Sequence, residues 1–168
     1  MQASKLRISD WICLVVAGFG LALLWAGPEL AVNYSESIPR GLYLVKPEQP
    51  GRGDYTLLNN DSLLTIAFRR GYLPRHIPIG KKVVAAGGDT VDVQESGVWI
   101  NDLLYPNSKP LDIDSRGQAM PKIRGRFILA KDQIFLLGEH PHSFDGRYFG
   151  PVSIKDSHHI LSPFFTLD

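Results

Sequence analysis

An uncharged, mostly apolar run near the amino terminus is the feature that most limits how this chain can fold. Residues Trp11 to Pro28 carry no charge and lie between Asp10 and Glu29. As a helix with a rise of about 1.5 Å per residue, the run would be roughly 27 Å long, close to the ~30 Å hydrocarbon core of a bilayer. Because the run is apolar on every face, it does not suit a buried helix of a small globular domain. The run predicts a single membrane-spanning helix.

The charged residues around this run predict its orientation. Lys5 and Arg7 precede the run, and no basic residue follows it before Arg40. Cytoplasmic flanks of membrane helices carry an excess of Lys and Arg. We therefore expect residues 1–10 in the cytoplasm and residues 29–168 outside it.

A cleaved signal peptide is the main alternative for this run. Such a segment has a shorter apolar core and a cleavage site between small residues. Here the core is long, and Trp25 interrupts the sequence LWAG where a cleavage site would lie. Trp11 and Trp25 also lie near the two ends of the run, where aromatic residues of membrane helices meet the interface. These features favour an uncleaved anchor over residues 11–28.

The sequence after residue 40 is typical of a mainly β domain, because short apolar segments alternate with turns rich in Gly and Pro. One helix is predicted in DSLLTIAFRRG, with Asp61 as its N-cap and Gly71 at its end. Residues 102–124, rich in Asp, Pro and Ser, predict a long surface excursion. Strands are predicted in GLYLVK, DYTLLN, KKVVAA, TVDVQ, VWIN, RFILA and QIFLLG.

Charge and cysteine content argue against several functions. The chain has 18 basic and 17 acidic residues, so it lacks the strong positive field expected of a nucleic-acid-binding protein. Cys13 is the only cysteine and lies in the apolar run, which rules out a disulfide within the chain. The five histidines lack the ligand spacing of a metal site, and no cofactor is indicated. They are His76, His140, His142, His158 and His159.

Two serines, Ser35 and Ser37, lie beside a proline in NYSESIPRGLYLV, soon after the apolar run. They belong either to a polar linker or to a catalytic site. A catalytic serine needs a base of suitable pKa within hydrogen-bond reach. That base is either one of the histidines or a lysine whose pKa is lowered by burial.

A lysine base would come from IPIGKKVVAAGGDTV, which places Lys81 and Lys82 on a predicted strand. Neighbouring side chains on a strand face opposite sides, so one lysine can point into the domain while the other meets solvent. From the pattern alone, two exposed lysines on an edge strand remain the alternative.

Four segments, in order, resemble the motifs of the type I signal peptidase family, membrane-bound serine proteases with a Ser-Lys dyad. SESIPRGLY resembles the nucleophile motif, with Pro39 two residues after Ser37, and GRGDYTLL resembles the strand motif that follows. KKVVAAGGDTV resembles the lysine motif, whose Gly-Asp pair lies seven and eight residues after Lys81. SFDGRYFGPV resembles the last motif. The resemblance covers nearly the whole chain and implies a signal-peptidase-like β domain with one short helix, behind a single anchor.

The resemblance implies roles for residues of the nucleophile motif and of the lysine motif. Ser37 would be the nucleophile and Lys81 the general base. Ser35 would contribute its hydroxyl to the oxyanion hole, together with the backbone N–H of Ser37. Lys82 matches the basic residue after the catalytic lysine and would face solvent.

The last motif implies supporting residues. Ser143 would help to orient the lysine. Asp145 and Arg147 would either support the site directly or form a structural ion pair, and both alternatives stay open at this point. Gly146 stands where the family motif has Ser, which removes one hydroxyl near the lysine.

Three further segments, SIPRGLY, RRGYLP and NDLLYPNSKPL, resemble the conjugative-transfer branch of the family, the TraF-like proteases. Those enzymes process pilin precursors, and some join the new ends into a cyclic pilin. The cysteine pair common in that branch is absent from this sequence. The resemblance implies a precursor or pilin substrate bound as an extended peptide, with a small residue such as Ala before the scissile bond. It further implies the lipid bilayer and the conjugative transfer machinery as partners, and no nucleic acid.

Other functions fit the sequence less well. A Ser-His-Asp protease would use one of the histidines as its base. A non-catalytic, membrane-anchored scaffold of a pilus or secretion assembly would have no need of both Ser37 and Lys81. Autoproteolytic repressors with a Ser-Lys dyad lack an anchor and carry a DNA-binding region, which this chain does not show.

Overall fold

The computed structural model describes residues 29–75, 77–157 and 159–167, together with Trp11, Val15 and Gly27. The strands found in these residues are β1 (Glu29–Asn33), β2 (Gly41–Lys46), β3 (Tyr55–Leu58), β4 (Ile79–Ala86), β5 (Thr90–Gln94), β6 (Gly97–Ile100), β7 (Leu103–Leu104), β8 (Gly125–Ile128), β9 (Gln133–Leu137), β10 (Val152–Ser153) and β11 (Ile160–Thr166). The helices are α1 (Asp61–Arg69), the single-turn α2 (Gly146–Phe149) and a 3₁₀ turn (Ile154–Asp156).

The predicted anchor over residues 11–28 and the predicted cytoplasmic segment 1–10 lie almost entirely outside the described residues. Among the residues that the structure does describe, none belongs to a helix that is both long enough and apolar enough to cross a bilayer.

Two antiparallel sheets form the described domain. The larger has the strand order β1-β2-β11-β3-β4-β9-β10, and the smaller has the order β7-β6-β5-β8. The prediction of a mainly β fold with one short helix, α1, is confirmed. The single turn α2 and the strands β1, β7, β10 and β11 were not predicted from the sequence.

Strand β9 joins the two halves of the core, since its side chains are buried on both faces. Alternation along the strand sends Ile134 and Leu136 into one apolar cluster, which also includes residues of α1. Phe135 and Leu137 point into a second cluster, shared with the smaller sheet. The loop that follows β9 therefore starts from a firmly packed strand, and this loop carries much of the candidate site.

The amino-terminal cap of α1 differs from the prediction. Asn60, not Asp61, is the N-cap: its backbone is extended and its side chain accepts a hydrogen bond from the N–H of Leu63, at 3.1 Å. Asp61 is the first helical residue, where its negative charge interacts favourably with the positive end of the helix dipole. Gly71 follows the helix with a φ of +70°, as expected for a helix stop.

Candidate active site

The hairpin of β1 and β2 presents Ser37. Its last pair joins Asn33 to Gly41, so the connection that carries Ser37 spans residues 34–40. Ile38 is buried, with only 1% of its surface exposed, and belongs to a small apolar cluster with Tyr43. Because Ile38 is fixed in this cluster, the half-buried Ser37 beside it is held at the surface of the domain.

Gly41 is required at the end of this connection for packing. A side chain at Gly41 would collide with the backbone carbonyl oxygen of Phe165 in β11. Glycine at this position therefore allows β11 to pack closely against the backbone of β2.

Strand β4 sends Lys81 inward and Lys82 outward, as the alternation of a strand predicts. Lys81 is only 3% exposed, and its Nζ donates a hydrogen bond to the carbonyl oxygen of Gly80, at 3.1 Å. Lys82 is half-buried; its Nζ lies 5.3 Å from the centre of the Tyr55 ring and 3.9 Å from Oε1 of Glu139. The alternative of two exposed lysines is wrong.

Burial lowers the pKa of Lys81 from 10.5 to about 8. Desolvation of the ammonium group is the largest cause, since a buried charge loses its hydration. The negative charge of Asp145 acts in the opposite direction and the positive charge of Arg147 in the same direction, both more weakly. A substantial fraction of Lys81 is therefore neutral at mildly alkaline pH, and a neutral amine can accept a proton.

Ser143 contacts the predicted nucleophile directly. The Oγ atoms of Ser37 and Ser143 are 3.0 Å apart, within hydrogen-bond distance, and Ser143 is buried. The N–H of Glu139 also donates a hydrogen bond to the carbonyl oxygen of Ser37, at 2.8 Å. Glycine is needed at position 138, because a side chain there would collide with that of Ser143. The loop after β9 thus holds both the backbone and the hydroxyl of Ser37.

Asp145 and Arg147 form an ion pair that is completely buried, with both side chains 0% exposed. Arg147 Nε donates to Asp145 Oδ1 and Arg147 Nη2 to Asp145 Oδ2, each at 2.8 Å. Asp145 Oδ2 also accepts a hydrogen bond from the N–H of Gly138, at 2.8 Å. The remaining guanidinium N–H groups donate to the carbonyl oxygens of Asn107, Lys109, His140, Pro141 and Ser143.

This geometry favours the structural alternative for the ion pair. The pair connects the two ends of the loop from residue 138 to residue 147, since Asp145 binds the N–H of Gly138 and Arg147 binds backbone carbonyl groups of this loop. We expect the pair to act on the site through the placement of Ser143 and through the charge of Asp145, which raises the pKa of Lys81.

Ser35 is exposed and turned toward Asn33. Its Oγ donates a hydrogen bond to Oδ1 of Asn33, at 2.8 Å. The hydroxyl would have to rotate before it donated to an oxyanion, so that role of Ser35 stays a prediction.

One cleft of about 930 Å³ brings Ser35, Ser37, Lys81 and Ser143 together. The size is within the range of peptide and ligand sites. Most of the cleft wall is apolar, and part of it comes from the excursion predicted at residues 102–124. Apolar lining residues include Tyr72, Leu73, Ile79, Leu111, Met120 and Phe144.

Two of the histidines, His140 and His142, also line this cleft. The Nε2 atom of His140 lies 3.2 Å from Oε2 of Glu36, whereas the hydrogen bond of Ser37 Oγ goes to Ser143. In the part of the chain that the structure describes, no group of three His, Cys, Asp or Glu residues is placed to hold a metal ion.

We expect Lys81→Met to preserve or raise stability at neutral pH. The folded-state pKa of Lys81, about 8, is below its unfolded value of 10.5. The unfolded chain therefore binds more protons between these values, and the free energy of unfolding of the native protein rises with pH there. At about 1.4 kcal/mol per pH unit, burial of the charged lysine costs ~3 kcal/mol at neutral pH.

Urea unfolding of both proteins from pH 7 to pH 10.5 measures this effect. The advantage of the methionine variant is expected to be largest near pH 7 and to fade above pH 8. A methionine variant that is clearly less stable at pH 7 would show that Lys81 is a charged structural partner.

Comparison with known proteins identifies the family. Residues 8–160 match the family model of signal peptidase, peptidase S26. Two plasmid transfer proteins TraF of Escherichia coli are 33% and 32% identical over 166 residues, covering 91% and 90% of this chain and 93% and 94% of those proteins. The chain therefore belongs to the signal peptidase family, and the resemblance noted in the sequence is confirmed.

Further similarities are more distant. The probable conjugal transfer protein TraF of Sinorhizobium fredii is 32% identical over 131 residues, which covers 72% of this chain and 69% of that protein. A solved signal peptidase I of Enterococcus faecalis is 18% identical, with a TM-score of 0.42, and the match covers 70% of this chain and 100% of that one. The family to which the chain belongs is one of peptidases.

Proposed function

We propose that the protein is a membrane-anchored serine endopeptidase, with Ser37 as nucleophile and Lys81 as general base. The observation that carries this proposal is a lysine buried in the same cleft as a half-buried serine, with a pKa lowered to about 8. A lysine at its ordinary pKa is protonated and accepts no proton at neutral pH. Desolvation supplies the neutral amine that the reaction needs.

In the proposed reaction, Nζ of neutral Lys81 takes the proton of the Ser37 hydroxyl while Oγ attacks the carbonyl carbon of the scissile bond. The tetrahedral oxyanion accepts hydrogen bonds from the Ser37 N–H and, after rotation, from the Ser35 hydroxyl. As the peptide C–N bond breaks, the Lys81 ammonium returns a proton to the leaving amine. Water then attacks the acyl-enzyme, with Lys81 again as base. Ser143 keeps the Ser37 hydroxyl in place through their hydrogen bond.

The proposed substrates are precursor or pilin segments of a conjugative system. The names of the E. coli and S. fredii relatives, plasmid transfer and conjugal transfer proteins, support this assignment. The substrate would bind as an extended peptide along the cleft, with main-chain hydrogen bonds for affinity and side-chain pockets for selectivity. A small residue such as Ala is proposed before the scissile bond.

Co-expression with candidate small pilin precursors, followed by intact-mass analysis, tests this function. The expected result is a shortened product that forms only in the presence of the active protein. A product lighter by one water than the linear fragment would show that an amine, rather than water, resolves the acyl-enzyme and closes a ring. Precursors that all stay at full length would favour the non-catalytic scaffold.

We further propose that the anchor holds this domain on the periplasmic face of the bacterial inner membrane. Lys5 and Arg7 before the apolar run support this orientation. Protease added to spheroplasts is expected to digest the domain, while a cytoplasmic control protein survives. Protection of the domain, or a mature amino terminus near residue 27, would contradict the proposal.

A further inference from the structure

The side chain of Asn33 crosses the base of the loop that carries Ser37. Asn33 is the last residue of β1 and pairs with Gly41, the first residue of β2. It therefore stands on a regular strand, next to the irregular connection 34–40. A side chain in this position can hold the loop in one conformation by hydrogen bonds from the strand.

Both functional ends of the Asn33 amide group are bound to this loop. Nδ2 donates to the carbonyl oxygens of Ser35, Ile38 and Pro39, at 2.8, 2.9 and 3.0 Å. Oδ1 accepts from the N–H and the hydroxyl of Ser35, at 3.1 and 2.8 Å. Since an amide nitrogen carries two hydrogens, at least one is shared between two of the three carbonyl groups.

These partners lie on both sides of Ser37. Ser35 precedes it by two residues, whereas Ile38 and Pro39 follow it directly. The bonds therefore fix the backbone before and after Ser37 to a single point on β1. Without these bonds, residues 34–40 would have to lose conformational entropy each time Ser37 reached its position in the cleft.

We propose that Asn33 is a positioning residue of the peptidase, one that sets where Ser37 Oγ lies relative to Lys81. The inference rests on the proposed function, because Asn33 has this role only if Ser37 is the nucleophile. The side-chain hydrogen bonds of Asn33 go to residues 35–39, and Lys81 is not among these partners. Loss of Asn33 should therefore lower the rate of the chemical step without changing the pKa of the base.

The test compares Asn33→Ala with Asn60→Ala in the full-length protein in detergent micelles. Asn60 also binds a backbone N–H and a second partner, Leu63 and Asp156, but it lies at the start of α1. The probe is the p-nitrophenyl ester of N-acetyl-alanyl-alanine. For Asn33→Ala we expect kcat to fall ~10–100-fold, the scale of a misplaced nucleophile, with KM within about twofold of wild type. The ascending limb of the pH profile should keep its apparent pKa.

Asn60→Ala is expected to lower the free energy of unfolding and leave kcat unchanged. Amide hydrogen exchange supplies a readout without turnover: peptides covering residues 34–40 should exchange faster in Asn33→Ala and at the wild-type rate in Asn60→Ala. An Asn33→Ala protein with wild-type kcat, or with wild-type exchange in this loop, would overturn the inference. A wild-type protein that leaves the ester intact would contradict the proposed function instead, and the exchange rates alone would then decide whether Asn33 fixes the loop.

Discussion

Ser37→Ala and Lys81→Ala are each expected to reduce precursor processing by ~10³-fold or more, because they remove the nucleophile and its base. Both variants should stay folded. Ser37 is only half-buried, and removal of the Lys81 ammonium relieves the cost of burying its charge. The measurement is the rate at which the cleaved product appears by intact mass, together with the unfolding curve of each variant.

Lys82→Ala is the matched control for Lys81→Ala. The two lysines are neighbours on β4 but face opposite sides, and Lys82 contacts Tyr55 and Glu139 rather than the cleft. Its replacement should leave processing within a few-fold of wild type. Undiminished processing by Lys81→Ala would exclude the dyad, and a loss confined to His140→Ala would favour a histidine base.

Asp145→Asn is expected to lower the free energy of unfolding by ~3–5 kcal/mol. The substitution leaves the guanidinium group of Arg147 buried without a counter-charge, and removal of one partner of a buried pair typically costs this much. Arg147 binds five backbone carbonyl groups of the surrounding loops. These loops should therefore become less ordered in the variant. Urea unfolding at pH 7 measures the loss.

Asp102→Asn supplies the control, since Asp102 pairs with Arg126 at the same 2.8 Å distance but on the surface. Exposed ion pairs are worth ~1 kcal/mol or less, so this variant should be nearly as stable as wild type. An Asp145→Asn protein with wild-type stability and strongly reduced activity would contradict the structural role. Asp145 would then act on the reaction itself.

The sequence predicted the parts of the site that depend on alternation and on motif order. Period-two alternation allowed only one of two adjacent lysines on β4 to point inward, and the motif spacing selected Lys81. Burial of Lys81 agrees with what the lysine motif implies. Ser143, which the motifs imply as a residue that orients the lysine, instead contacts the hydroxyl of Ser37. The anchor remains a prediction from hydropathy and flanking charge.

Other features depend on contacts between distant parts of the chain. Strand β11 contains Pro163, which argues against a strand between two neighbours. The structure accommodates this proline beside a register shift in the pairing of β11 with β2. Strand β1 was overlooked because it directly follows the apolar run, and the Gly27-Pro28 pair before it marks the end of the predicted anchor.

Asn33 was missed for a related reason. In the sequence it is one polar residue in a turn-rich segment, where an asparagine needs no special explanation. Its importance appears only when the hairpin of β1 and β2 brings Ser35, Ile38 and Pro39 within reach of one amide group. The apolar cleft wall from residues 111–120 likewise depends on how a long connection folds back over α1.

The pH dependence of kcat/KM tests most directly whether a neutral Lys81 activates Ser37. Only the neutral amine accepts the serine proton, and burial lowers its pKa to about 8. Activity is therefore expected to rise with pH along a limb whose apparent pKa is near 8, and His140→Ala should leave that limb in place. A limb centred near ~6.5, the ordinary value for histidine, that disappears in His140→Ala would contradict the account.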